Sequence, residues 1–308
     1  MRALIVTNMY PSPAHPALGS FVRDQVEALR RLDGVEVDLF AFEPGGAGAY
    51  AAAARALRRR RGEDNFDVVH AHFGLTAWPA LAAKAKAHAV TLHGTDVSHP
   101  RSRAVTLAAL RFMDLVAGVS QPLLDGLPGW ARRRATAVLP AGVDMTRFEP
   151  IPRDTARRRL GLHPDKPYLL FPADPRRPEK RYDRAQEVAG DTALLTLGDV
   201  YPADVPQYVN AANAVLVTSE REGFGLAVLE ALACDVPVLA TDVGIAAEAL
   251  ATIDGTYCGP FDPERWRAAL APHLAVPDPR VDGRASAERF STDRMAERVV
   301  AAWRSLVP

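Results

Sequence analysis

The sequence predicts an α/β protein built from two Rossmann-like, doubly wound parallel-sheet domains that face each other across a cleft. The chain has 308 residues, and this length favours two domains of about 150 residues each. Short apolar, β-branched runs alternate with helical stretches along the whole chain, an order typical of parallel sheets covered by helices. The alternation starts again after residue 165, and the proline-containing residues 150–152 separate the two series.

Each predicted strand is a short apolar run, and each predicted helix has apolar residues at helical spacing. In the first series the predicted strands are residues 3–7, 35–40, 68–71, 89–92 and 115–119, with a helix at 21–32. In the second series they are residues 168–171, 193–197, 214–218 and 237–240, with a helix at 182–188. A last helix is predicted at 292–306. We therefore expect one domain at 1–150, a second at 151–290, and a C-terminal helical segment at 291–308 that packs back toward the first domain.

Composition excludes several classes of function. Lys plus Arg and Asp plus Glu number 37 each, so no net charge directs the chain to nucleic acid. Cys234 and Cys258 are too few for a disulfide framework or a thiolate zinc site, and a reducing cytoplasm is the expected location. No apolar stretch approaches the roughly 18 residues of a membrane span, and the apolar N-terminus is expected to be a strand, not a signal peptide. Neither a G-x-G-x-x-G nor a G-x-x-x-x-G-K-[ST] motif occurs, which counts against a dinucleotide oxidoreductase and a P-loop enzyme.

The most informative segment is a strand, a glycine turn and a helix. The buried-strand pattern at 214–218 precedes Glu222, the turn ends at Gly225, and helical spacing begins at Leu226. Glycine lets backbone N–H groups approach a ligand, and a helix N-terminus favours an anion such as diphosphate. Glu222 and Glu230 flank this anion site, and carboxylates accept hydrogen bonds from sugar hydroxyls. The segment therefore predicts a nucleotide-sugar site.

Together with other motifs, this segment resembles the retaining glycosyltransferases of the family 4 type, which have the two-domain GT-B fold. Glu222 and Glu230 match the E-x7-E motif of that family, and Ser219 and the E-G-F-G at 222–225 match its usual surroundings. The other matching blocks, in order, are N-M-Y-P at 8–11, G-S-F-V at 19–22, D-V-V-H-A-H at 67–72, T-L-H-G-T-D at 91–96, P-A-G-V-D at 140–144 with Phe148, and R-P-E-K at 177–180. The resemblance covers essentially the whole chain, and the ordered set is more specific than any single motif.

The chain departs from the family pattern at four positions. Ala141 stands where Asn is usual, and Arg181 and Asp235 stand where Gly is usual. Ile245 follows Gly244 where a Gly-Gly pair is common. The chain is also short for the family, which indicates trimmed loops on the acceptor side.

The resemblance implies a role for each donor-side residue. Glu222 would bind hydroxyls of the donor sugar and Glu230 those of the ribose, while N–H groups from Gly223, Phe224, Gly225 and Leu226 would meet sugar or phosphate. Arg177 and Lys180 would clamp the diphosphate and stabilise charge on the leaving group. The alternatives are solvated carboxylates near a helix start and a solvated basic loop.

On the acceptor side, the resemblance implies that His93 faces the cleft near the reacting centre, where it hydrogen-bonds donor sugar or acceptor. Asp96 would orient His93 or bind the acceptor. We expect His70 and His72 to point apart on their strand, so that only one faces the cleft and no zinc site forms with His93. A lone histidine at a strand end is otherwise more often structural.

The loop after the first strand is expected to serve both substrates. By resemblance, Gly19 brings a backbone N–H close to the diphosphate, and Tyr10 and Ser20 shape the acceptor pocket. A plain turn is the alternative. The four arginines at 58–61 follow a helical stretch and are either a solvated helix face or a weak contact with anionic lipid.

The sequence thus predicts a retaining, metal-independent glycosyltransferase that uses a nucleoside-diphosphate-sugar as co-substrate and requires no cofactor. Its partners would be that donor and a hydroxyl acceptor, with no nucleic acid and with peripheral contact at the inner face of the membrane through basic clusters. The alternatives are a nucleotide-sugar epimerase of the same fold and a catalytically silent nucleotide-sugar-binding subunit. Sugar, base, acceptor, linkage and oligomeric state stay open.

Overall fold

The computed structural model describes residues 1–60 and 65–307, and these residues form two compact units. The first unit comprises residues 1–142 together with the helix that starts at Thr292, and the second comprises residues 143–291. Each unit is a parallel sheet with helices on both faces, which confirms the predicted α/β class. None of the helices in the described residues is long and apolar enough to cross a membrane.

The first unit has a six-stranded sheet in the order β2-β1-β3-β4-β5-β6. Its strands are β1 (Arg2–Thr7), β2 (Glu36–Ala41), β3 (Phe66–His72), β4 (Ala85–Leu92), β5 (Leu115–Gly118) and β6 (Ala135–Val138). Its helices are α1 (Ser20–Arg30), α2 (Ala47–Arg59), α3 (Ala77–Ala80), α4 (Thr95–Ser98), α5 (Pro100–Leu110), α6 (Gln121–Asp125) and α7 (Gly129–Arg132), joined by the C-terminal helix of the chain (Thr292–Leu306).

Alternation along the strands of the first unit builds two apolar cores. Leu4 and Val6 of β1 belong to one core, and Ala3 and Ile5 belong to the other. Successive side chains on a strand point to opposite faces, so each face of the sheet needs its own helical cover. Helix α1 and the C-terminal helix cover the second face, where Trp303 is completely buried.

The second unit has a five-stranded sheet in the order β11-β10-β9-β7-β8. Its strands are β7 (Tyr168–Phe171), β8 (Ala193–Thr196), β9 (Ala214–Val217), β10 (Val238–Ala240) and β11 (Tyr257–Cys258). Its helices are α8 (Arg153–Arg159), α9 (Tyr182–Ala189), α10 (Val205–Ala211), α11 (Leu226–Ala233), α12 (Ala246–Leu250), α13 (Pro263–Leu274) and α14 (Arg284–Glu288), so that the C-terminal helix is α15. The central strands β7 and β9 are buried along their length, as expected for parallel strands covered on both faces.

Candidate active site

In the second unit, the predicted strand, glycine turn and helix are present. Strand β9 ends at Val217, Glu222 lies in the turn, and α11 begins at Leu226. Gly225 has a φ of 94°, in the left-handed region where glycine carries no steric cost. The N–H of Ile245 donates to the carbonyl of Phe224 at 2.7 Å, which fixes the turn from the neighbouring loop. This bond therefore holds the backbone turn from which the first N–H groups of α11 project.

A second loop is held against the end of β9. The hydroxyl of Thr218 donates to the carbonyls of Lys180 and Arg181 at 3.0 and 2.9 Å. The N–H of Glu220 donates to the carbonyl of Glu179 at 2.9 Å. These bonds attach the short 3-10 turn Pro178–Lys180 to the residues just before Glu222.

The result is a compact charged cluster of Lys180, Glu222 and Ser219. The Nζ of Lys180 lies 2.6 Å from both Oε1 and Oε2 of Glu222. The hydroxyl of Ser219 donates to Oε1 at 2.6 Å. The side chains of Lys180 and Glu222 are 14% and 13% exposed, so the ion pair is partly shielded from water and still open to a ligand.

Arg177 and Glu230 are the other two charged residues predicted for the donor site. The side chain of Arg177 is 55% exposed and pairs with Glu179 at 2.7 Å. It lines an open groove with Arg181 and Tyr182. Glu230 is half-buried on α11. Burial, and to a smaller degree the charge of Glu230, raise the pKa of the Cys234 thiol to about 12.

The apolar and small residues of the turn set its shape. Phe224 is buried and packs on Phe290, with ring centroids 6.2 Å apart. Gly223 and Leu226 are half-buried on either side of Phe224 and Gly225. A side chain at Gly244 would place its Cβ 2.2 Å from the carbonyl oxygen of Phe224, so the loop before α12 approaches the turn closely.

Three of the departures from the family pattern have a backbone explanation. Arg181 and Asp235 have φ angles of 56° and 54°, in the left-handed region that favours the glycine usual at both positions. The carboxylate of Asp235 accepts the N–H groups of Gly283 and Arg284 at 3.1 and 2.9 Å, which offsets part of this strain. Ile245 has a φ of −89° and therefore needs no glycine.

In the first unit, three histidines that end β3 and follow β4 lie in one row. The ring centroids of His70 and His72 are 5.0 Å apart, and those of His72 and His93 are 5.3 Å apart. The expectation that His70 and His72 point apart is wrong, because residues i and i+2 of a strand share a face. The Nδ1 of His72 lies 3.1 Å from the Nε2 of His93, within hydrogen-bond distance.

Burial keeps these rings neutral. It lowers the pKa of His70 to about 3, with a smaller contribution from His93. It lowers the pKa of His93 to about 4 and that of His72 well below its ordinary value. Within residues 1–60 and 65–307, no group of three or more His, Cys, Asp or Glu side chains is placed to hold a metal ion. At neutral pH the row is therefore a set of uncharged hydrogen-bonding groups.

Asp96 shapes the loop that carries His93. Its carboxylate accepts the N–H of Gly94 at 2.9 Å, that of His93 at 3.1 Å and that of Gly74 at 3.1 Å. The side chain is completely buried, and burial raises its pKa. Asp96 thus orients the backbone of His93, while a contact with the acceptor stays a prediction.

The loop between β1 and α1 depends on a glycine. Gly19 has a φ of 65°, and a Cβ there would lie 2.1 Å from the carbonyl oxygen of Met9. Ser20 is the first residue of α1, and Tyr10 is half-buried beyond β1. Burial and then Glu27 raise the pKa of the Tyr10 hydroxyl. Ala141, the fourth departure, lines the same small cavity as His93.

Sequence comparisons match both units to families of one kind. The profile described as glycosyl transferases group 1 matches residues 155–289, and the profile of glycosyltransferase family 4 matches residues 42–147. A D-inositol 3-phosphate glycosyltransferase of Catenulispora acidiphila is 30% identical over 80% of this chain and 74% of its own length. The chain belongs to the family 4 type of GT-B glycosyltransferases.

Two further relatives of this glycosyltransferase come from other organisms. A D-inositol 3-phosphate glycosyltransferase of Geodermatophilus obscurus is 28% identical over 83% of this chain and 70% of its own. A putative teichuronic acid biosynthesis glycosyltransferase of Bacillus subtilis is 24% identical over 79% and 82%. All these names contain the word glycosyltransferase, and they differ in the compound that they mention, inositol 3-phosphate or teichuronic acid.

Solved structures support the GT-B fold of this glycosyltransferase. Sucrose-phosphate synthase from Thermosynechococcus elongatus aligns with a TM-score of 0.76 at 20% identity, covering 99% of both chains. Anabaena HepE, solved in complex with UDP-glucose, aligns with a TM-score of 0.72 at 17% identity over 98% of this chain and 99% of its own. At these identities the likeness establishes the fold.

Sequence reasoning missed several side chains around His93. Trp303 donates to His70, and Thr91 and Gln25 lie beside the histidine row. The strand alternation rule, applied correctly to β3 and β4, would have grouped His70, His72 and Thr91, because His72 and Thr91 are register partners. Nothing in the sequence pattern signals the contact of Trp303, which is 233 residues from His70 along the chain.

Proposed function

We propose that this glycosyltransferase transfers a sugar from a nucleoside-diphosphate-sugar to a hydroxyl group of its acceptor, with retention of the anomeric configuration. The observation that carries the proposal is the cluster of Lys180, Glu222 and Ser219 at the start of α11. A cation, a carboxylate and a row of helix N–H groups at one turn are the groups needed to bind a diphosphate joined to a sugar.

The ion pair suggests how the donor is received. The ammonium of Lys180 and the carboxylate of Glu222 neutralise each other at 2.6 Å. A bound diphosphate can replace the carboxylate as partner of Lys180, which frees the oxygens of Glu222 to accept bonds from sugar hydroxyls. After the exchange the diphosphate is the counter-ion of Lys180, and hydroxyl hydrogen bonds replace the ammonium as partners of the Glu222 carboxylate, so both charged groups keep polar partners in the partly buried site.

The proposed reaction needs no protein nucleophile. The bond between the anomeric carbon and the phosphate oxygen breaks, and the acceptor oxygen bonds that carbon from the face that the diphosphate leaves. A phosphate oxygen of the donor takes the acceptor proton, while Lys180 and the more exposed Arg177 stabilise the charge on the nucleoside diphosphate. We assign Glu230 to the ribose hydroxyls, and we propose that no metal or other cofactor is required.

On the acceptor side, we propose that Tyr10, Ser20 and His93 contact the acceptor and that the N–H at Gly19 meets the diphosphate. The names of the relatives include inositol phosphate and teichuronic acid, and HepE was solved with UDP-glucose. These names support a nucleoside-diphosphate donor and select no single acceptor.

The test begins with the donor. Purified protein is heated with UDP-, GDP-, ADP- and TDP-sugars, and a ligand at 100 times its Kd raises the free energy of unfolding by about 2.7 kcal/mol. The stabilising donor is then incubated with a panel of hydroxyl acceptors, with and without EDTA, and the anomeric configuration of the product is read by NMR. Inversion of configuration, or loss of turnover with EDTA, would contradict the proposal. A C2 epimer formed without acceptor would identify an epimerase.

We also propose that the enzyme works in the cytoplasm with peripheral contact at a membrane surface. Arg58 and Arg59 are exposed in the last turn of α2; the fourth arginine of that run, residue 61, lies outside the described residues. Elsewhere on the same unit, Trp78 and Phe112 are 38% and 58% exposed, with ring centroids 6.0 Å apart. Adjacent aromatic rings on a unit with clustered arginines suit an anionic lipid surface.

The membrane contact predicts a specific vesicle experiment. A Trp78→Ser, Phe112→Ser double variant should float with phosphatidylglycerol-containing vesicles several-fold less than the unchanged protein, because two insertable rings are lost. Tyr201→Ser, which removes a ring that is 61% exposed in the second unit, serves as the matched control. Equal flotation of both variants, or equal binding to neutral phosphatidylcholine vesicles, would contradict the proposed contact.

A further inference from the structure

One group in the histidine row has a fixed hydrogen-bond direction. The indole Nε1–H of Trp303 lies 2.9 Å from the Nδ1 of His70. Indole can only donate, so the Nδ1 of His70 accepts. A neutral imidazole then carries its proton on Nε2, which lies 2.7 Å from the hydroxyl oxygen of Thr91. His70 therefore donates to Thr91, and the proton of the Thr91 hydroxyl points elsewhere.

A small cavity lies beside Thr91. Its volume is about 10 Å³, and its lining includes Thr91, His72, His93 and Gln25. The Nε2 of His72 and the Oε1 of Gln25 are buried and have no hydrogen-bond partner among the residues that the structure describes. Leaving a buried polar atom without a hydrogen bond destabilises the fold. The space and the polar groups are those that a single buried water molecule needs.

We propose that one water molecule in this cavity completes a one-way hydrogen-bond relay from Trp303 to His93, and that the relay holds His93 as the tautomer protonated on Nδ1. The water accepts from the hydroxyl of Thr91 and donates to Gln25 Oε1 and His72 Nε2. His72 then carries its proton on Nδ1 and donates to the Nε2 of His93 at 3.1 Å. The remaining nitrogen of His93, Nδ1, carries the proton.

The opposite direction leaves a group unpaired. If His93 donated to His72, the Nε2 of His72 would also be a donor. The water would then receive protons from both Thr91 and His72, and of its own two protons only one would find an acceptor, at Gln25. Because an unpaired hydrogen bond in a buried site is costly, the direction from Trp303 is favoured.

The relay defines what His93 can do. A neutral ring with Nε2 occupied presents a single donor, Nδ1–H, from a half-buried position. It suits an acceptor oxygen of a sugar or phosphate and does not serve as a proton acceptor through Nε2. Thr91, His72 and Gln25 are positioning residues in this view. Only the identity of the oxygen rests on the proposed function, and the relay stands independently of it.

The direct test is nitrogen NMR of the full chain labelled with 15N-histidine. The two neutral tautomers give distinct patterns of coupling between ring nitrogens and ring protons, and the His93 signal is assigned by its loss in His93→Gln. We expect Nδ1 protonated and Nε2 bare at pH 7 for His93. A His93 ring protonated on Nε2 would overturn the relay.

Two pairs of variants test the direction of the relay. Thr91→Val removes the hydroxyl at constant volume and Thr91→Ser keeps it, so His93 should become a mixture of tautomers in the first and remain uniform in the second. Trp303→Phe should act like Thr91→Val, with Trp266→Phe as control, because Trp266 is a buried indole donor of the second unit. An unchanged His93 pattern in Thr91→Val would refute the relay. Absence of sugar transfer would refute the proposed function. The nitrogen spectrum would still test the tautomer of His93.

Discussion

In the first unit two buried histidines and one half-buried histidine hydrogen-bond as neutral rings. In the second unit a lysine and a glutamate meet as an ion pair at a turn that solvent reaches. His70 and His72 are 0% and 2% exposed as residues, and the side chains of Lys180 and Glu222 are 14% and 13% exposed. Both sets of groups thus lie at the carboxyl ends of similar parallel sheets. One set is uncharged, and the other is a pair of opposite charges.

The difference follows from how each set is supported. Burial in an apolar core disfavours a charged imidazole, and the row offers no carboxylate partner in the contacts of its rings, so the rings stay neutral. The pair of Lys180 and Glu222 keeps its charges because each is the counter-ion of the other. A neutral imidazole N–H can recognise the position of a ligand oxygen. The ammonium of Lys180 can exchange the carboxylate of Glu222 for a charged diphosphate.

The largest expected effect is an acid sensitivity that is greater in the first unit, although burial also lowers the pKa of His273 in the second. Burial lowers the pKa of His70 from 6.5 to about 3, so the unfolded chain binds a proton there that the folded chain does not. The stabilisation is fully present above pH 6.5 and is lost as the pH falls toward 3. The free energy of unfolding falls by about 2 kcal/mol at pH 5 and by about 5 kcal/mol over the whole range.

Hydrogen exchange at pH 7 and pH 5 measures this sensitivity. Amides of β3 and β4 should lose more protection at pH 5 than those of β7 and β9, because three histidine rings of the first unit resist protonation and one, His273, does so in the second. In His70→Gln the extra loss should shrink, whereas His163→Gln, at an exposed position of the second unit, should behave like the unchanged protein. Equal acid sensitivity of the two sheets would remove the contrast between the units.

The next effect concerns the ion pair. Glu222→Gln should lower kcat/KM for sugar transfer roughly 100-fold, because a neutral amide replaces charge-assisted bonds to hydroxyls. Glu220→Gln is the matched control, because Glu220 lies two residues before Glu222 and its 53% exposed side chain pairs with Arg181. Steady-state kinetics would be read beside melting temperatures of both variants. If Glu222→Gln kept near-normal turnover of the true substrates, Glu222 would not belong to the site.

Much of the fold could be predicted because apolar runs report buried strands directly. The strand at residues 168–171 and the helix at residues 292–306 have the predicted bounds, and the other predicted strands differ at their ends by a few residues. Strands β6 and β11 were not predicted. The first has the weakly apolar sequence A-T-A-V, and the second has only two residues.

The candidate site could be predicted where a residue type is tied to a particular backbone conformation, as glycine is to left-handed torsions. The family pattern has glycine at Arg181 and Asp235, and both residues adopt left-handed torsions. The row of histidines was harder to predict, because its partners come from α1, β4 and α15 and only the fold brings them together. The pairing of Lys180 with Glu222 likewise spans 42 residues.

The smallest effect contrasts a carboxylate that accepts two backbone N–H groups with a guanidinium that makes only ion pairs, at the two left-handed positions. Asp235→Gly relieves strain but removes two bonds to the N–H groups of Gly283 and Arg284, so the free energy of unfolding should fall by about 1 kcal/mol. Arg181→Gly relieves similar strain and removes only surface ion pairs with Asp183 and Glu220. Its effect should be close to zero. Urea unfolding of the two variants measures the difference, and an Asp235→Gly protein as stable as Arg181→Gly would show that the two backbone hydrogen bonds of Asp235 add nothing to the stability.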